Sequence, residues 1–333
     1  MANINDVAKL AKVSRGTVSN YLNGKKIRDA SVEKIKDAIK KLHYVPNFTA
    51  RELKTGVSKY VVFIIPTVWT PFFAEMTYYM QQALQKQNYK MIICNSHSEV
   101  NEEIEYLDMA KQQKVAGVIT VSYSDIKDYL SDNLPLVSIE KEVGPQYPMV
   151  SSDNYQGGRL AARKLVEAGS HKLLFISKEH QHSYTGYRQK GFEQYCQDNQ
   201  ISYDVEIISH DEKNNFQNIQ RIIQKRYQNG IEYDGIFTNI DEYAYDTWQI
   251  LLDMGYQIPQ EVQIVGFDGA KDYDEARRRL SSIRQPIEQI AKEAVEMLMQ
   301  KINGKKWKNA PRIYLPISFI QGNTTKKSKI FFS

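Results

Sequence analysis

Residues 10–24 read LAKVSRGTVSNYLNG, and this stretch decides the fold of the first domain. Its apolar residues follow a helical spacing, stop before Ser14 and then resume. Ser14 is placed to cap a second helix, because a serine oxygen accepts hydrogen bonds from the free backbone amides of a helix start. At about 100° per residue that helix has two faces. The apolar face holds Val18, Tyr21 and Leu22, and the polar face holds Arg15, Gly16, Ser19 and Asn20.

Two further helices flank this one. Asn5 is expected to cap a helix that begins at Asp6, and Ser31 to cap a third helix that ends before Pro46. The inward residues are expected to be Val7, Ala8 and Ala11 in the first helix and Val32, Ile35, Ile39 and Leu42 in the third. Two short helices joined by a tight turn indicate a helix-turn-helix, whose second helix lies in the DNA major groove.

The positive charge of the chain is concentrated in the same region. Residues 1–60 hold thirteen Lys or Arg against five Asp or Glu, whereas the 333-residue chain has a net charge of only +5. Such a basic head is expected where it meets phosphates. With no long apolar run and no signal peptide, a cytoplasmic protein without a membrane partner is expected. Cys94 and Cys196 have no neighbours at metal-ligand spacing, so we expect reduced thiols and no metal.

Two stretches carry a family resemblance. DVAKLAKVSRGTVSNYLNG at 6–24 is similar to the signature of LacI/GalR-family repressors, and YVPNFTARELKTG at 44–56 resembles the hinge segment of that family. The resemblance implies an all-α helix-turn-helix head at 1–46, followed by a hinge helix and linker at 47–57. It also implies a double-stranded, pseudo-palindromic DNA operator as the partner of a homodimer.

The side chains of the second helix suggest how DNA would be read. Arginine donates two hydrogen bonds to guanine and asparagine pairs twice with adenine, so Arg15 and Asn20 are expected to contact base edges. Ser14 and Thr17 suit phosphates, while Gly16 would let the backbone come close. Many family members carry arginine where Asn20 stands, so we expect a different operator half-site. The full set of expected DNA-binding residues is Asn5, Lys12, Ser14, Arg15, Gly16, Thr17, Ser19, Asn20, Asn47, Ala50, Leu53 and Lys54.

Two further positions are informative: Leu53 in the hinge segment and Lys12 in the turn between the first two helices. A helix capped by Asn47 and ending before Gly56 is too short to be stable alone in water, so we expect it to be loose without DNA and ordered with it. The resemblance implies that the hinges of two subunits pair and insert Leu53 into a minor-groove step. Lys12 stands where relatives usually have glycine. A left-handed backbone there costs an L-residue about 1 to 2 kcal/mol, and a long cation could recover part of that cost on a phosphate.

From Tyr60 onward, β-rich runs alternate with amphipathic helical stretches, as in YVVFIIP at 60–66 and FFAEMTYYMQQALQ at 72–85. Two successive series of this kind predict an α/β body of two doubly wound parallel-sheet subdomains, with ligand groups at the carboxyl ends of the strands. The series also resembles the LacI/GalR effector domain, which is itself similar to periplasmic sugar-binding proteins. The implied boundaries are 58–333 for the effector-binding and dimerisation domain, about 58–153 plus 286–315 for its N-subdomain and about 154–285 plus 316–325 for its C-subdomain.

Carried over residue by residue, the resemblance implies a pocket for a small sugar. Arginine and carboxylates hold sugar hydroxyls, and aromatic rings cover the C–H faces. Three positions depart from the family pattern. Glu140 stands where aspartate is common, Ile240 stands where asparagine is often found, with Asn239 one residue earlier, and His210 stands where some members have an aromatic residue. Each of these residues could instead be an ordinary surface or core residue. The expected effector-binding residues are Trp69, Phe72, Phe73, Glu140, Arg188, His210, Asn239, Asp241 and Asp268.

The sequence therefore favours an effector-controlled repressor of carbohydrate uptake or metabolism genes, with no cofactor. A sugar phosphate stays open as the effector, because Arg188 and nearby lysines suit a phosphate. The alternatives are a co-repressor-dependent regulator with a purine or nucleoside effector, a cytosolic sugar-binding protein, and an enzyme. GxxxxGK[ST], GxSxG and HExxH motifs are absent. Only residues 324–333 follow Gly322-Asn323, too few for a coiled coil, which favours a dimer over a tetramer.

Overall fold

A computed structural model describes residues 2–45, 58–131, 133–178, 185–209, 214–271 and 279–327. The chain divides into two compact units, Met1–Ser58 and Lys59–Ser333, named here the head and the body. Within the described ranges, no helix is long and apolar enough to cross a membrane.

The head contains three described helices: α1 at Ile4–Ala11, α2 at Arg15–Leu22 and α3 at Asp29–Lys41. The helix-turn-helix formed by α1 and α2 packs on α3 around a small apolar core, as the spacing predicts. The buried residues of that core are Val7, Ala8, Ala11, Val18, Ile35 and Ala38. Tyr21, Leu22, Ile39 and Leu42 are half-buried against it.

The starts of α1 and α2 test two expected caps. Ser14 caps α2 as predicted, since its Oγ accepts a hydrogen bond of 3.1 Å from the Thr17 amide. The expectation for Asn5 is wrong, because α1 begins at Ile4 and Asn3 is its cap. The Asn3 side chain accepts from the Asn5 and Asp6 amides, and the Asp6 carboxylate accepts from the Asn3 amide at 2.8 Å. This reciprocal pair satisfies more amides than Asn5 could reach.

The start of α3 also differs from the expectation. The helix begins at Asp29, two residues before Ser31, and its N-cap residue Arg28 makes no side-chain capping bond. Asp29 lies in the first turn, where a negative charge is favoured by the helix dipole. The charge of Asp29 therefore supports this helix end without the serine cap that the sequence predicts.

The first sheet of the body has the strand order β11-β5-β4-β3-β1-β2, and all of its strands are parallel. Apolar helices cover its faces. The elements are β1 Tyr60–Ile65, α4 Pro71–Lys86, β2 Lys90–Asn95, α5 Val100–Gln112, β3 Gly117–Val121, a 3-10 turn at Lys127–Tyr129, β4 Leu136–Ile139, β5 Met149–Ser152, α10 Ile287–Ile302 and β11 Arg312–Leu315.

The second sheet has the order β12-β10-β9-β8-β6-β7. Its elements are α6 Asn154–Glu167, β6 Lys172–Lys178, α7 Thr185–Asp198, β7 Ser202–Ile208, α8 Asn215–Tyr227, β8 Gly235–Thr238, α9 Asp241–Asp253, β9 Gln263–Asp268, β10 Ser281–Arg284 and β12 Ser318–Ile320. The two-sheet α/β fold is confirmed, with one difference: β12 runs antiparallel to β10.

The chain passes between the two sheets three times. β5 is followed by α6, β10 by α10, and β11 by β12. Each passage leaves the carboxyl end of a strand, so these ends face one another across a region named here the junction. Because the chain leaves β11 at the junction, it enters the second sheet at the carboxyl ends of the parallel strands. β12 therefore runs antiparallel to its neighbour β10.

Candidate functional site

The polar face of α2 is open to solvent. Arg15, Gly16 and Asn20 are exposed, whereas Val18 on the opposite face is fully buried. Ser14 and Thr17 are linked through their hydroxyls at 2.9 Å. Asn5, Lys12 and Ser19 are also accessible, Ser19 only in part. The head thus presents hydrogen-bonding side chains around one helix start, where free amides favour a phosphate.

Two positions of this surface have particular backbone properties. Lys12 is left-handed, with φ 52° and ψ 46°, and its amide donates to the carbonyls of Ala8 and Lys9. A side chain added at Gly16 would meet nothing closer than Ser14 Oγ at 3.6 Å. Packing within the head therefore does not require glycine at this position. The hinge residues Asn47, Ala50, Leu53 and Lys54 lie outside the described residues, and their role stays a prediction.

Arg188 is at the centre of a polar network at the junction. Its side chain comes from α7 and is 4% exposed. Nε donates to Asn154 Oδ1 at 2.7 Å, and Nη1 donates to the Asn239 carbonyl at 2.5 Å. Asp268 Oδ1 lies 3.9 Å from Nη1, and the guanidinium lies 3.6 Å from the centre of the Phe267 ring. These contacts fix the arginine in one orientation.

Close packing of two helices positions this arginine. A Cβ added at Gly158 on α6 would lie 1.9 Å from the Arg188 carbonyl oxygen, and one added at Gly191 on α7 would lie 2.0 Å from the Tyr155 carbonyl oxygen. Only glycine allows the two backbones to approach so closely. The Gly157-Gly158 pair therefore has a packing role here.

Glu140 follows β4 and is bound by the end of β5 and the start of α6. Its carboxylate accepts from the Ser152 amide at 3.0 Å and from Asn154 Nδ2 at 2.8 Å. Gln285 joins the two sheets, because Ser152 Oγ donates to its Oε1 at 2.7 Å and its Nε2 donates to Asp268 Oδ1 at 2.7 Å. The network is thus continuous from Glu140 to Asp268.

Backbone conformation also distinguishes the two ends of this network. Glu140 has φ 68° and Asp268 has φ 120°, and neither is glycine. Residues in such sparsely populated regions carry about 1 to 3 kcal/mol of strain each and are concentrated at functional sites.

Asp241 and Asn239 follow β8 beside this network. The Asp241 carboxylate accepts from the Gly269 amide at 2.8 Å and from Ser282 Oγ at 2.6 Å. Asn239 is fully buried, and neither Oδ1 nor Nδ2 of its amide has a hydrogen-bond partner among the described residues. Buried polar groups are normally paired, so this amide is available to a bound molecule.

Burial controls the ionisation of two of these carboxyls. It raises the pKa of Asp268 to about 7, against the opposing effect of the Arg188 charge. Burial and the neighbouring Asp268 charge raise the pKa of Asp241 well above its ordinary value. Carboxyls with raised pKa values are common where a protein binds or transforms a ligand.

The structure does not bring every expected residue to this network. Trp69 is 92% exposed. Phe72 and Phe73 are buried in the apolar cluster of the first sheet, with their rings 5.1 Å apart. Both rings therefore pack the core. Tyr123 and Ala270 are half-buried against the same cluster. His210 lies outside the described residues.

Tyr123 is a residue of the junction that the sequence analysis missed. Burial raises its pKa, and the charges of Glu140, Arg188 and Asp268 act on its hydroxyl. The loop that holds it is anchored from behind, because Lys141 Nζ donates to the carbonyls of Tyr123 and Ser124 at 3.2 and 2.6 Å. Its position directly after β3 was the available signal.

A second missed pair bridges the two halves of the body. Arg284 at the end of β10 donates two hydrogen bonds to Glu75 on α4, one of them at 2.8 Å. The Lys271 amide donates to the same carboxylate at 3.0 Å, and Arg284 also donates to the Gly269 carbonyl at 3.0 Å. Bidentate pairs of this kind are strong and directional, so the pair ties α4 to the Asp268 loop.

The chain matches two family models. Residues 3–47 match the model described as bacterial regulatory proteins, lacI family. Residues 58–323 match the model described as periplasmic binding proteins and sugar binding domain of LacI family.

Individual proteins are similar over most of the chain. The sucrose operon repressor of Streptococcus mutans is 34% identical over 97% of this chain and 99% of its own. A solved periplasmic binding protein/LacI transcriptional regulator from Alkaliphilus metalliredigens, complexed with D-xylulofuranose, is 30% identical, with a TM-score of 0.72 over 81% of this chain and 100% of that chain. The lac repressor dimer bound to operator and the anti-inducer ONPF has a TM-score of 0.82 over 98% of this chain and 99% of that chain, at 20% identity, and shows the fold alone.

Proposed function

The chain belongs to the LacI family of bacterial regulatory proteins, and from this premise we propose that it represses genes for sugar uptake or metabolism. As a homodimer it binds a pseudo-palindromic operator through the exposed face of α2. A sugar bound at the junction changes its affinity for that operator. The observation that carries this proposal is the buried polar network between the two sheets, with the unpaired Asn239 amide beside it.

The head supplies the operator contacts. Arg15 and Asn20 are exposed on the open face of α2, where they can form paired hydrogen bonds to base edges. Lys12 and the Ser14 hydroxyl lie next to the same helix start and suit phosphates. The expected hinge contacts, with Leu53 as the inserted residue, remain part of this proposal.

The junction suits a molecule with many hydroxyl groups. Glu140 and Asp268 accept hydrogen bonds, Arg188 donates them, and Asn239 can do both. A sugar hydroxyl also does both, so one sugar ring can satisfy several of these groups at once. Tyr123 is half-buried beside the charged groups, and its ring can pack against the C–H face of a sugar.

The charge balance favours a neutral sugar over a phosphorylated one. Asp268 Oδ1 lies 3.9 Å from Nη1 of the central cation Arg188, the charges of Glu140 and Asp241 act on Asp268 or interact with it, and Arg284 is already paired with Glu75. Lys141 is directed to the carbonyls of the Tyr123 loop. A phosphate ester would add about 1.5 to 2 negative charges beside Asp241 and Asp268, where burial already disfavours a negative charge.

Two bridges relate ligand binding at the junction to the relative arrangement of the two sheets. The Glu75–Arg284 pair and the Ser152–Gln285 bond hold the sheets in one relative arrangement. A ligand that draws Asp268 or Glu140 toward itself changes both bridges, because these carboxylates belong to the same network. The coupling must be reciprocal, so bound operator changes sugar affinity by the same factor.

A thermal-shift comparison of the full chain tests the effector assignment. Ribose and fructose are each compared with their phosphate esters, and sucrose, purines and nucleosides are added. At about 100 times its dissociation constant, a ligand stabilises the native state by about 2.7 kcal/mol, which raises the midpoint by several degrees. We expect a neutral sugar to do so. A shift given only by phosphate esters would overturn the charge argument, and one given only by purines or nucleosides would support the alternative effector.

The direction of regulation needs a second measurement. Operator sites are selected from random duplexes with the purified full chain, and their affinity is measured with and without the stabilising sugar. We expect the sugar to lower operator affinity, as in induction. An increase would identify the sugar as a co-repressor. No selected site at all would contradict the proposed function.

A further inference from the structure

The amino-terminal edge of the first sheet is rich in lysine. This edge consists of the starts of its parallel strands and of the connections that lead into them. Its lysines, named here the basic edge, are Lys59, Lys86, Lys90, Lys114, Lys301, Lys305, Lys306 and Lys308.

Backbone hydrogen bonds place these connections side by side. The Lys90 amide donates to the Lys59 carbonyl at 2.8 Å, and the Ala116 amide donates to the Tyr60 carbonyl at 2.8 Å. At the other end of the sheet, the Ala310 amide donates to the Pro145 carbonyl at 2.8 Å, and Lys301 Nζ donates to the Gln146 carbonyl at 3.0 Å. The basic edge is therefore one surface that runs along the whole sheet.

Acidic residues are few in the described connections of this edge. Residues 86–90, 113–116, 145–148 and 303–311 contain no Asp or Glu, while Asp125 and Asp128 lie between β3 and β4. Glu142, between β4 and β5, pairs with Arg312 at the start of β11, and Asp108 pairs with Lys111 at 3.0 Å. Lysines therefore outnumber acids along this edge.

The cluster around Trp307 has the densest charge. Lys305, Lys306 and Lys308 are exposed and Trp307 is half-buried between them. Lys305 Nζ lies 5.1 Å from the centre of the indole ring and donates to Gln300 Oε1, a neutral acceptor, at 2.7 Å. These contacts orient the lysine without neutralising it.

The corresponding edge of the second sheet has a different composition. Its connections hold Glu232, Asp234 and Glu261, and Glu232 pairs with Lys172 at 3.1 Å. The Asp234 carboxylate accepts hydrogen bonds from the amides of His171 and Lys172. One fold repeated twice therefore has many lysines at this edge in one copy and few in the other, so the lysines are not a requirement of the fold.

We propose that the basic edge is a second DNA-contacting surface, which binds backbone phosphates next to the operator without reading their sequence. The chain enters the body at this edge, since the head ends at Ser58 and β1 begins at Tyr60. DNA held by the head is thereby tethered to this edge, and a tether raises the effective concentration of its neighbours. Lysine suits such contacts because it binds phosphate as a point charge without base selection.

The salt dependence of DNA binding tests this surface, which rests on the proposed DNA binding by the head. The full chain is titrated with a long duplex of mixed sequence at several salt concentrations. The edge variant is Lys305→Gln/Lys306→Gln/Lys308→Gln. Its matched control is Lys225→Gln/Lys326→Gln/Lys327→Gln. This variant removes three exposed lysines from the half of the body that contains the second sheet, one on α8 and two after β12. A plot of log affinity against log salt has a negative slope, and each lost phosphate contact reduces the magnitude of that slope by about 0.9.

We expect the edge variant to reduce the magnitude of this slope by about 0.9 to 2.7 and to weaken binding at low salt at least several-fold, while the control keeps the wild-type slope. Equal losses in both variants would indicate net charge alone and overturn the proposal. An unchanged slope in the edge variant would also overturn the proposal. The same proteins are titrated with poly-glutamate as an acidic polypeptide. If the edge variant alone loses poly-glutamate binding, the edge is assigned to an acidic protein partner and the proposal is overturned. If the wild type binds no DNA, the proposed function of the head fails as well.

A spectroscopic readout separates contact from a distant effect. A Trp69→Phe/Trp248→Phe protein retains Trp307 as its single tryptophan. DNA bound at the basic edge changes the emission of this residue, because the flanking lysines then face phosphate. Unchanged emission at saturating DNA would overturn the proposal.

Discussion

The head and the body place their candidate binding groups in opposite ways. On α2, Arg15 and Asn20 are exposed, and their support is local, as in the bond between Ser14 and Thr17 three residues apart. At the junction the groups are mostly buried and bonded to distant partners, such as Ser152 and Gln285, 133 residues apart. A substitution of the Arg15 or Asn20 side chain should therefore change DNA affinity alone, whereas one at the junction should change ligand binding and stability together.

Arg188→Met tests this contrast where the expected effect is largest. The change leaves Asp268 and Glu140 without their central cation and breaks the bonds to Asn154 and Asn239. Removing one member of a buried hydrogen-bonded charge pair costs about 2 to 5 kcal/mol. We expect at least a roughly 30-fold loss of sugar affinity, a lower unfolding midpoint and no response of the operator complex to sugar, with DNA binding preserved.

Arg163→Met is the matched control, because Arg163 lies on α6 and half of its side chain is exposed beside Glu167. Calorimetry with the stabilising sugar and a gel-shift titration with a selected operator give the two readouts. Normal sugar response in Arg188→Met would remove this arginine from the site. Loss of DNA binding in a folded Arg188→Met protein would contradict the separation of the two regions.

The pH dependence of stability gives an effect of intermediate size. Burial raises the pKa of Asp268 to about 7 in the folded body, above its ordinary value of 3.8. The folded state then holds a proton that the unfolded state releases, so the free energy of unfolding decreases as pH rises from about 4 to about 7. Asp268→Asn should reduce this decrease, as measured by denaturant titration at several pH values.

Asp253→Asn supplies the comparison for this titration. Asp253 lies at the end of α9, where its exposed carboxylate accepts a bond from Gln249. It should leave the pH profile as in the wild type. An Asp268→Asn profile identical to that of the wild type would show that Asp268 is not the group responsible.

The contrast between the two regions also explains what could be predicted from the sequence. The fold class follows from local periodicity, and the Ser14 cap follows from a bond between residues three apart. The caps expected at Asn5 and Ser31 were wrong, because Asn3 and Asp29 compete for nearly the same position. Local patterns indicate that a helix exists more surely than they fix its first residue.

The junction could be predicted only in part. Arg188, Asp241, Asp268 and Glu140 are all expected effector-binding residues, and the structure brings them together. Their partners were missed: Asn154 at the start of α6, Arg284 and Gln285 at the end of β10, and Glu75 on α4. A sequence pattern does not show which side chains of two crossing segments meet, since that depends on how the sheets face each other.

Lys12→Gly is the smallest and most local change. The left-handed turn at Lys12 costs an L-residue about 1 to 2 kcal/mol, and glycine removes that cost. We expect the head to gain about 1 kcal/mol of stability while DNA affinity falls severalfold, because an exposed cation beside the start of α2 is lost. Lys9→Gln, which removes an exposed charge from α1 without altering the turn, is the control for net charge. Thermal melting followed by helical circular dichroism measures the first effect, and a salt-dependent DNA titration measures the second. A variant that lost both stability and DNA affinity would show that the lysine side chain supports the turn itself, and the separation of local strain from DNA contact in the head would then be wrong.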